Sequence, residues 1–260
     1  MKKELNKEKV KEFVKDRYGK IAKENVGDRG QSCECCGAAS AVEQAEAIGY
    51  SKKELEKIPD SAIIGLGCGN PVALATLREG ETVLDLGSGG GIDVFLAANK
   101  VGENGRVIGI DMTQEMIKKA RENAKKGGYH NVEFRLGEIE HLPVEDNSID
   151  VILSNCVINL SVDKPKVFQE AYRVLKPGGK LMISDLVTEG ELPEEIRKSF
   201  DAWAGCIAGA LEKKEYMDTI KNAGFQEGRI VSQNTFSEKD MSKELSGKIT
   251  SVKIEAHKPK

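Results

Sequence analysis

Hydrophobic residues recur every three or four positions near the start of the chain, at Val10, Phe13, Val14, Tyr18 and Ile21. Charged residues fill the positions between them. This spacing is typical of an amphipathic helix that packs one face against the protein and leaves the charged face in water.

The periodicity then stops in a stretch rich in glycine, serine and cysteine, residues 27–40, which predicts a loop carrying Cys33, Cys35 and Cys36. Residues 51–56 fit a short helix after a serine N-cap. Residues 58–71 again indicate a loop, with glycines around Cys68. Residues 1–75 therefore predict a helical, loop-rich N-terminal extension.

From residue 76 to residue 260, segments typical of strands alternate with segments typical of helices. The predicted strands are Thr82–Leu86, Arg106–Ile110, Val132–Leu136, Ile149–Ser154, Lys180–Ser184, Gly228–Thr235 and Lys248–Ala256. The predicted helices are Gly91–Asn99, Gln114–Lys126, Lys164–Leu175, Pro193–Ala210 and Lys213–Ala223. This alternation predicts an α/β domain with a parallel sheet covered on both faces.

Composition narrows the class of protein. The chain has 260 residues, of which 39% are hydrophobic and 31% charged, as in a soluble globular protein. It contains neither a membrane-length apolar run nor an apolar N-terminal signal, so we expect a cytoplasmic protein whose cysteines are not primarily structural disulfides. A net charge of −3 argues against a nucleic-acid surface and favours a small-molecule partner.

The first predicted strand leads through an acid-headed glycine loop, Asp85-Leu-Gly-Ser-Gly-Gly-Gly91, into a helix. A dinucleotide fingerprint needs glycine or alanine three residues after Gly89, but Ile92 stands there, and Asp85 would oppose a pyrophosphate. The loop instead resembles the first motif of class I methyltransferases that use S-adenosylmethionine, a cofactor with a cationic sulfonium.

Two later segments fit the same resemblance. Asp111 ends the second strand, where a carboxylate can accept both ribose hydroxyls, and Met112 can lie against the adenine. The segment Gly137–Pro143 resembles the family's adenine-reading segment, with Ile139 and Glu140 favoured and Glu138 left open. The predicted cofactor-binding residues are Asp85, Gly87, Ser88, Gly89, Gly91, Asp111, Met112, Ile139, Glu140 and Asn155. The alternative is that the glycines only form turns and Asp111 only caps a helix.

The resemblance implies a doubly wound, mostly parallel, seven-stranded Rossmann-like sheet in which the last two strands form a hairpin edge. In this fold, an insertion such as residues 190–224 commonly covers the methyl acceptor. Cys156 follows the fourth strand, at the edge where open α/β sheets bind ligands. Cys206 lies three residues after Trp203 on the predicted covering helix, so both should share a face.

Together with Cys68 and the upstream cysteines, these thiols would form a site for a soft, thiophilic centre. The segments Ser154–Leu160 and Gly109–Thr113, the helix start at Leu192–Arg197 and the Cys206 segment resemble the arsenite methyltransferase family. This resemblance implies an enzyme that methylates thiolate-bound As(III) for detoxification, with arsenic held by Cys156, Cys206 and Cys68.

The resemblance further implies that Cys68 and one upstream cysteine close a disulfide after methyl transfer. Among the upstream cysteines, Cys36 is preferred and Cys35 is second. Because As(III) keeps a lone pair, the protein need only position that lone pair against the methyl group of the cofactor, and no general base is needed. An external thiol, such as thioredoxin, glutathione or another small thiol, must reopen the disulfide. The expected partners are arsenite and methylated As(III) species, and the expected state is a monomer.

Three other interpretations remain open. The same cofactor pocket could serve an organic acceptor such as a quinone precursor or a sterol, with the cysteines as small apolar fillers. The fold could also bind a metalloid without turnover. Cys33-x-x-Cys36 could begin a zinc site, although there is no second such pair, and the only histidines are His130, His141 and His257.

Overall fold

The computed structural model describes residues 6–23, 40–235, 245 and 247–260. Its strands are β1 Thr82–Leu86, β2 Arg106–Asp111, β3 Val132–Leu136, β4 Ile149–Asn155, β5 Leu175–Thr188, β6 Gln226–Thr235 and β7 Ile249–His257. Its helices are α1 Lys7–Lys23, α2 Ala41–Ala47, α3 Lys52–Leu55, α4 Pro71–Leu74, α5 Ile92–Val101, α6 Gln114–Gly127, α7 Lys164–Val174, α8 Glu194–Arg197, α9 Phe200–Ala204 and α10 Lys213–Asn222. Two 3-10 turns span Asp60–Ala62 and Ile158–Leu160.

Among the described residues, the strands form one seven-stranded sheet in the order β3-β2-β1-β4-β5-β7-β6. Strands β1 to β5 pair in parallel, whereas β7 is antiparallel to both β5 and β6. The predicted doubly wound sheet with a hairpin edge is confirmed. The strand order reverses at β1 and β4, so their carboxyl ends open a crevice of the kind that binds ligands in this class of sheet.

The core lies on both faces of the sheet because successive residues of a strand point to opposite sides. On β1, Leu84 packs into one hydrophobic cluster with Phe168 and Tyr216. Its neighbour Val83 packs into the other cluster with Phe95. Burial on both faces explains why β1 lacks the alternation of polar and apolar residues seen in half-exposed strands.

The N-terminal helix forms as predicted, and its apolar face packs against the inserted segment after β5. Val10 and Val14 are each 1% exposed and share a cluster with Ala204 of α9. The short helix α3 is also confirmed, with Ser51 and Glu54 forming a capping box. The same serine-to-glutamate spacing caps α2 at Ser40, a signal that sequence reasoning missed.

The predicted helix Pro193–Ala210 is wrong as one continuous element. The Ser199 side chain accepts a hydrogen bond from the Ala202 amide and so starts α9 as a separate helix after α8. Helix α9 ends at Ala204, and Cys206 has a φ of 64°, which a right-handed helix cannot accommodate. Cys206 therefore lies in a turn after the helix and does not share a helical face with Trp203.

The start of the fifth strand also differs from the prediction. Helix α7 ends at Val174, and β5 begins at Leu175, so the Pro177-Gly178-Gly179 segment lies within the strand and does not precede it. The register between β4 and β5 shifts between Ile149 and Val151, which accommodates the extra residues.

Candidate active site

A cavity of about 400 Å³ opens at the carboxyl ends of β1, β2 and β4. The glycine loop and Asp111 line one part of it, and Cys68, Cys156 and Cys206 line another. The described residues predicted from the sequence thus converge on one cavity, with the exception of Gly91. The placement is consistent with their predicted roles, which remain predictions.

The glycine loop presents its backbone to the cavity at Gly89. This residue has a φ of 50°, and no heavy atom lies within 4 Å of the position that a Cβ would occupy. Gly91 lies behind the loop at the N-terminus of α5, with a φ of 101°, where a Cβ would lie 2.6 Å from the ring of Phe95. Gly91 therefore allows the loop to enter the helix and does not line the cavity.

Asp111 ties the end of β2 to this loop. One of its carboxylate oxygens accepts a hydrogen bond from the Gly89 amide at 3.0 Å, and the other accepts one from the Thr113 amide at 2.8 Å. Since an ionised carboxylate can accept about four hydrogen bonds, Asp111 can still accept ribose hydroxyls. Its structural role and its predicted ligand role are thus compatible.

The predicted adenine segment lies beside Asp111. Ile139 and Glu140 line the cavity, and the Glu140 carboxylate accepts a hydrogen bond from the Ser161 hydroxyl at 2.5 Å. Glu138 instead forms an ion pair with Lys11 of α1. Ile139 and Glu140 thus line the cavity and Glu138 does not, and the contact of this segment with adenine stays a prediction.

Three carboxyl groups, those of the buried Asp85 and Asp93 and of the half-buried Asp111, give the cavity its electrostatic character. Burial raises the pKa of Asp85, Asp93 and Asp111, and it raises that of Asp93 to about 6. The charges of Asp93 and Asp111 raise the pKa of Asp85 further. A cationic ligand would relieve this repulsion. In addition, the buried hydroxyl of Ser88 has no hydrogen-bond partner among the described residues. Both features fit S-adenosylmethionine, which carries an ammonium, a sulfonium and polar acceptors.

The thiol end of the cavity contains a disulfide between Cys68 and Cys156, whose Cα atoms are 5.8 Å apart. The Cys206 thiol is free and donates a hydrogen bond to the Cys156 carbonyl at 2.8 Å. Cys156 and Cys206 have φ values of 55° and 64°, uncommon for residues other than glycine. Such backbone conformations cluster at functional sites.

This pairing differs from the disulfide expected from the family resemblance, because Cys68 is bonded to Cys156 and not to an upstream cysteine. Cys33, Cys35 and Cys36 lie outside the described residues. The role of Cys36 as a partner of Cys68 stays a prediction. In the observed state, the disulfide must be reduced before Cys156 and Cys68 can bind arsenic.

Asp185, at the thiol end, was missed by sequence reasoning. One of its carboxylate oxygens and the sulfur atoms of Cys68 and Cys156 lie within 4.8 Å of one another. Burial raises the pKa of Asp185 to about 6. Burial, and then the charge of Asp185, raise the pKa of the Cys206 thiol, which therefore stays protonated in the absence of a ligand. An acidic residue directly after the predicted strand Lys180–Ser184 was the sequence signal for Asp185.

Helix α1 forms a wall of the cavity that sequence reasoning also missed. Lys11, Arg17, Tyr18 and Ile21 line the cavity. The Tyr18 hydroxyl donates a hydrogen bond to the carbonyl of Ala204 at 3.2 Å, close to the turn that carries Cys206. The amphipathic pattern predicted a packed helix but not the surface that it covers.

The fold and its acid-headed glycine loop define an S-adenosylmethionine-dependent methyltransferase of class I, and residues 77–224 match a family model described as a methyltransferase domain. Over 97% of its length, the chain is 44% identical to an arsenite methyltransferase from Halobacterium salinarum, covering 67% of that protein. It is 38% identical, over 87% of its length, to an arsenite methyltransferase from Aquipseudomonas alcaligenes, covering 65% of it. The chain belongs to the arsenite methyltransferase family.

A solved structure agrees with this assignment. An arsenic(III) S-adenosylmethionine methyltransferase from Chlamydomonas reinhardtii superposes with a TM-score of 0.66 at 36% identity, covering 85% of this chain and 73% of that one. The chain spans about two thirds of the length of the curated relatives that it matches. No helix in the described ranges combines the length and apolar character needed to cross a membrane.

Proposed function

We propose that this chain transfers a methyl group from S-adenosylmethionine to As(III) bound by its cysteine thiolates, yielding methylated arsenicals. The observation that carries the proposal is the convergence of three cysteines on one cavity with the acid-rich glycine loop. Cys68, Cys156 and Cys206 all line the cavity that Asp85 and Asp111 line. Thiolates prefer soft, thiophilic centres, which favours As(III) as the acceptor.

The cofactor would occupy the glycine-loop part of the cavity. When bound, S-adenosylmethionine supplies an electrophilic methyl group on a sulfonium sulfur. Asp111 would accept hydrogen bonds from the ribose hydroxyls, and Ile139 and Glu140 would contact the adenine. The buried carboxylate of Asp85 would stabilise the cationic amino-acid end, since a cation offsets the like charges around it.

The cysteines would hold the acceptor after reduction of the observed disulfide. Each thiol that binds arsenite forms a sulfur–arsenic bond and loses its proton, which leaves with an arsenite hydroxide as water. Cys156, Cys206 and Cys68 together provide the three thiolates that a fully inorganic As(III) accepts. The arsenic lone pair is the nucleophile, so these residues contribute by fixing its position.

Methylation makes the arsenic formally pentavalent. Cys68 and Cys156 can return it to As(III) by giving up two electrons as a sulfur–sulfur bond forms and their bonds to arsenic break. The disulfide in the structure is the pairing that this step would leave. An external thiol, such as thioredoxin, glutathione or a small thiol, would then reduce the disulfide by exchange. In this exchange the Cys36 thiol would first attack Cys68, forming a Cys36–Cys68 disulfide and releasing the Cys156 thiol, and the external thiol would then reduce the Cys36–Cys68 disulfide.

The test is methylation by purified protein with S-adenosylmethionine, arsenite and a thiol, followed by speciation of the arsenic products. We expect Cys156→Ser and Cys206→Ser to abolish every methylation step, because a hydroxyl is a poor ligand for arsenic. Cys33→Ser is the matched control and should keep the parent activity. Parent-like activity in Cys156→Ser would contradict this proposal. It would favour a methyltransferase for an organic acceptor such as a quinone or sterol precursor.

A further inference from the structure

Asn155, the last residue of β4, binds the peptide that carries Cys68. Its side-chain oxygen accepts a hydrogen bond from the Cys68 amide at 3.1 Å. Its side-chain nitrogen donates to the carbonyl of Gly69 at 2.7 Å. One side chain thus binds both the N–H of Cys68 and the carbonyl of Gly69. The Cys68 carbonyl, which lies between them, accepts a hydrogen bond from the Ser251 hydroxyl at 2.8 Å.

The Asn155 amide is itself oriented by two buried residues behind it. Its nitrogen lies 2.9 Å from the Tyr50 hydroxyl and 3.2 Å from the Asp93 carboxylate. The Tyr50 hydroxyl donates to the other Asp93 oxygen at 2.8 Å. Tyr50 and Asp93 are each 3% exposed. The nitrogen has two hydrogens to share among these two groups and the Gly69 carbonyl, and a flipped amide would turn its oxygen towards the Gly69 carbonyl and the Asp93 carboxylate, so the network favours one orientation.

The Cys68 loop also lies directly on Asn155. A Cβ at Gly67 would be 3.0 Å from the Asn155 side-chain nitrogen, and Gly67 has a φ of 123°. Because Asn155 ends β4 and Cys156 follows it directly, the residue that binds the Cys68 peptide is the chain neighbour of the residue that carries the second thiol. The separation of the two thiols is therefore set by Asn155 and not by the loop alone.

We propose that Asn155, oriented by Tyr50 and Asp93, is a positioning residue that holds the Cys68 thiol beside the Cys156 thiol. Asn155 also lines the cavity, so the cofactor contact expected for it from the sequence stays a prediction beside this role. It favours formation of the Cys68–Cys156 bond by raising the effective concentration of one thiol at the other. The inference deepens the proposed function of the thiol site, but it depends on neither arsenic nor cofactor.

The experiment measures the thiol–disulfide equilibrium of this pair without arsenic or S-adenosylmethionine. Full-length protein is equilibrated with mixtures of reduced and oxidised dithiothreitol, the free thiols are alkylated, and Cys68–Cys156 pairing is quantified by peptide mass spectrometry. Oxidised dithiothreitol takes up the two hydrogens that the thiols lose, so each exchange is balanced. An inactive methyltransferase would leave this measurement unaffected, so the two proposals fail separately.

We expect Asn155→Ala to lower, by about tenfold, the ratio of reduced to oxidised dithiothreitol at which half of the protein carries the Cys68–Cys156 disulfide. Tyr50→Phe should lower this ratio by about threefold. These shifts correspond to the loss of one or two hydrogen bonds. Tyr129→Phe is the control for loss of a tyrosine hydroxyl, because the Tyr129 hydroxyl donates to the Lys57 carbonyl, outside the Asn155 network. Tyr129→Phe should leave the ratio unchanged at a similar thermal midpoint. A parental ratio in folded Asn155→Ala, or equal shifts in Tyr50→Phe and Tyr129→Phe, overturns the proposal. If Asn155→Ala does not fold, Tyr50→Phe decides.

Discussion

At the residue scale, Asp111 combines a structural and a ligand role, and one substitution can separate them. We expect Asp111→Ala to weaken S-adenosylmethionine binding by about 1.5–3 kcal/mol, the range for hydrogen bonds to a charged group. Arsenite binding by the reduced thiols should remain nearly unchanged. Calorimetric titration of both ligands checks this expectation. Equal weakening of both would mean that Asp111 supports the fold through Gly89 and Thr113 only.

We expect Asp93 to make cofactor binding depend on pH. Burial raises its pKa from 3.8 to about 6, so the free protein holds a proton there below pH 6. A cationic cofactor favours the ionised form, so this proton must leave on binding. We therefore expect the affinity to fall by up to about tenfold per pH unit below pH 6. Titrations at pH 7, 6 and 5 should show a smaller decline in Asp93→Asn, and identical declines in both proteins would contradict this assignment.

The cysteines should differ in which substrate requires them. A monomethylated As(III) has only two positions left for thiolates, so it needs one ligand fewer than arsenite. We expect Cys68→Ser, which lacks the third ligand, to lose arsenite methylation, and both Cys68→Ser and Cys36→Ser to retain single-turnover methylation of monomethylarsenite. Loss of both activities in Cys68→Ser would place Cys68 with Cys156 and Cys206 as a ligand required for every step.

At the element scale, the packing of helix α1 against the inserted segment should determine how stably α1 covers the cavity. Val14 is 1% exposed and packs with Ala204 near the Cys206 turn. We expect Val14→Ala to lower the free energy of unfolding by about 1–3 kcal/mol, from lost burial and an unfilled cavity. Amide hydrogen exchange in α1 should increase. Lys15→Ala, on the exposed face, is the control, and equal exchange in the two variants would show that α1 is not held by this contact.

The elements themselves were predictable where the local pattern is strong. The strands β1 to β5 and helices α5 to α7 follow from apolar runs and helical periodicity bounded by glycines and prolines. The inserted segment was not predictable as two short helices, because most of Pro193–Ala210 has helical composition, with only Gly205 and Gly209 against it. Its break depends on the Ser199 cap and on the left-handed backbone of Cys206, which only the packed structure imposes.

At the scale of the whole molecule, the Cys68–Cys156 bond links the N-terminal segment to the sheet across a sequence separation of 88 residues. Cross-linking so long a loop restricts the unfolded chain, and we expect reduction to lower the free energy of unfolding by roughly 2–5 kcal/mol. Urea unfolding with and without reductant measures this loss. Reductant should have no effect on the stability of Cys68→Ser, and a similar loss in that variant would assign the effect to another disulfide.

The sequence by itself determined the sheet, the glycine loop and the acid after β2, because these features are local. Strand and helix periodicities, turn glycines and the ends of strands are all encoded within short segments. The family resemblance added the substrate class, on motifs that surround Cys156 and Cys206.

The tertiary structure decided which distant residues meet. It paired Cys68 with Cys156, placed Asp185 beside them, turned Asn155 towards the Cys68 peptide and made α1 a wall of the cavity. None of these contacts can be read from a local sequence pattern, since several cysteine pairings are compatible with the same strands and loops. They depend on how the elements pack, which is a property of the folded chain and not of any one segment.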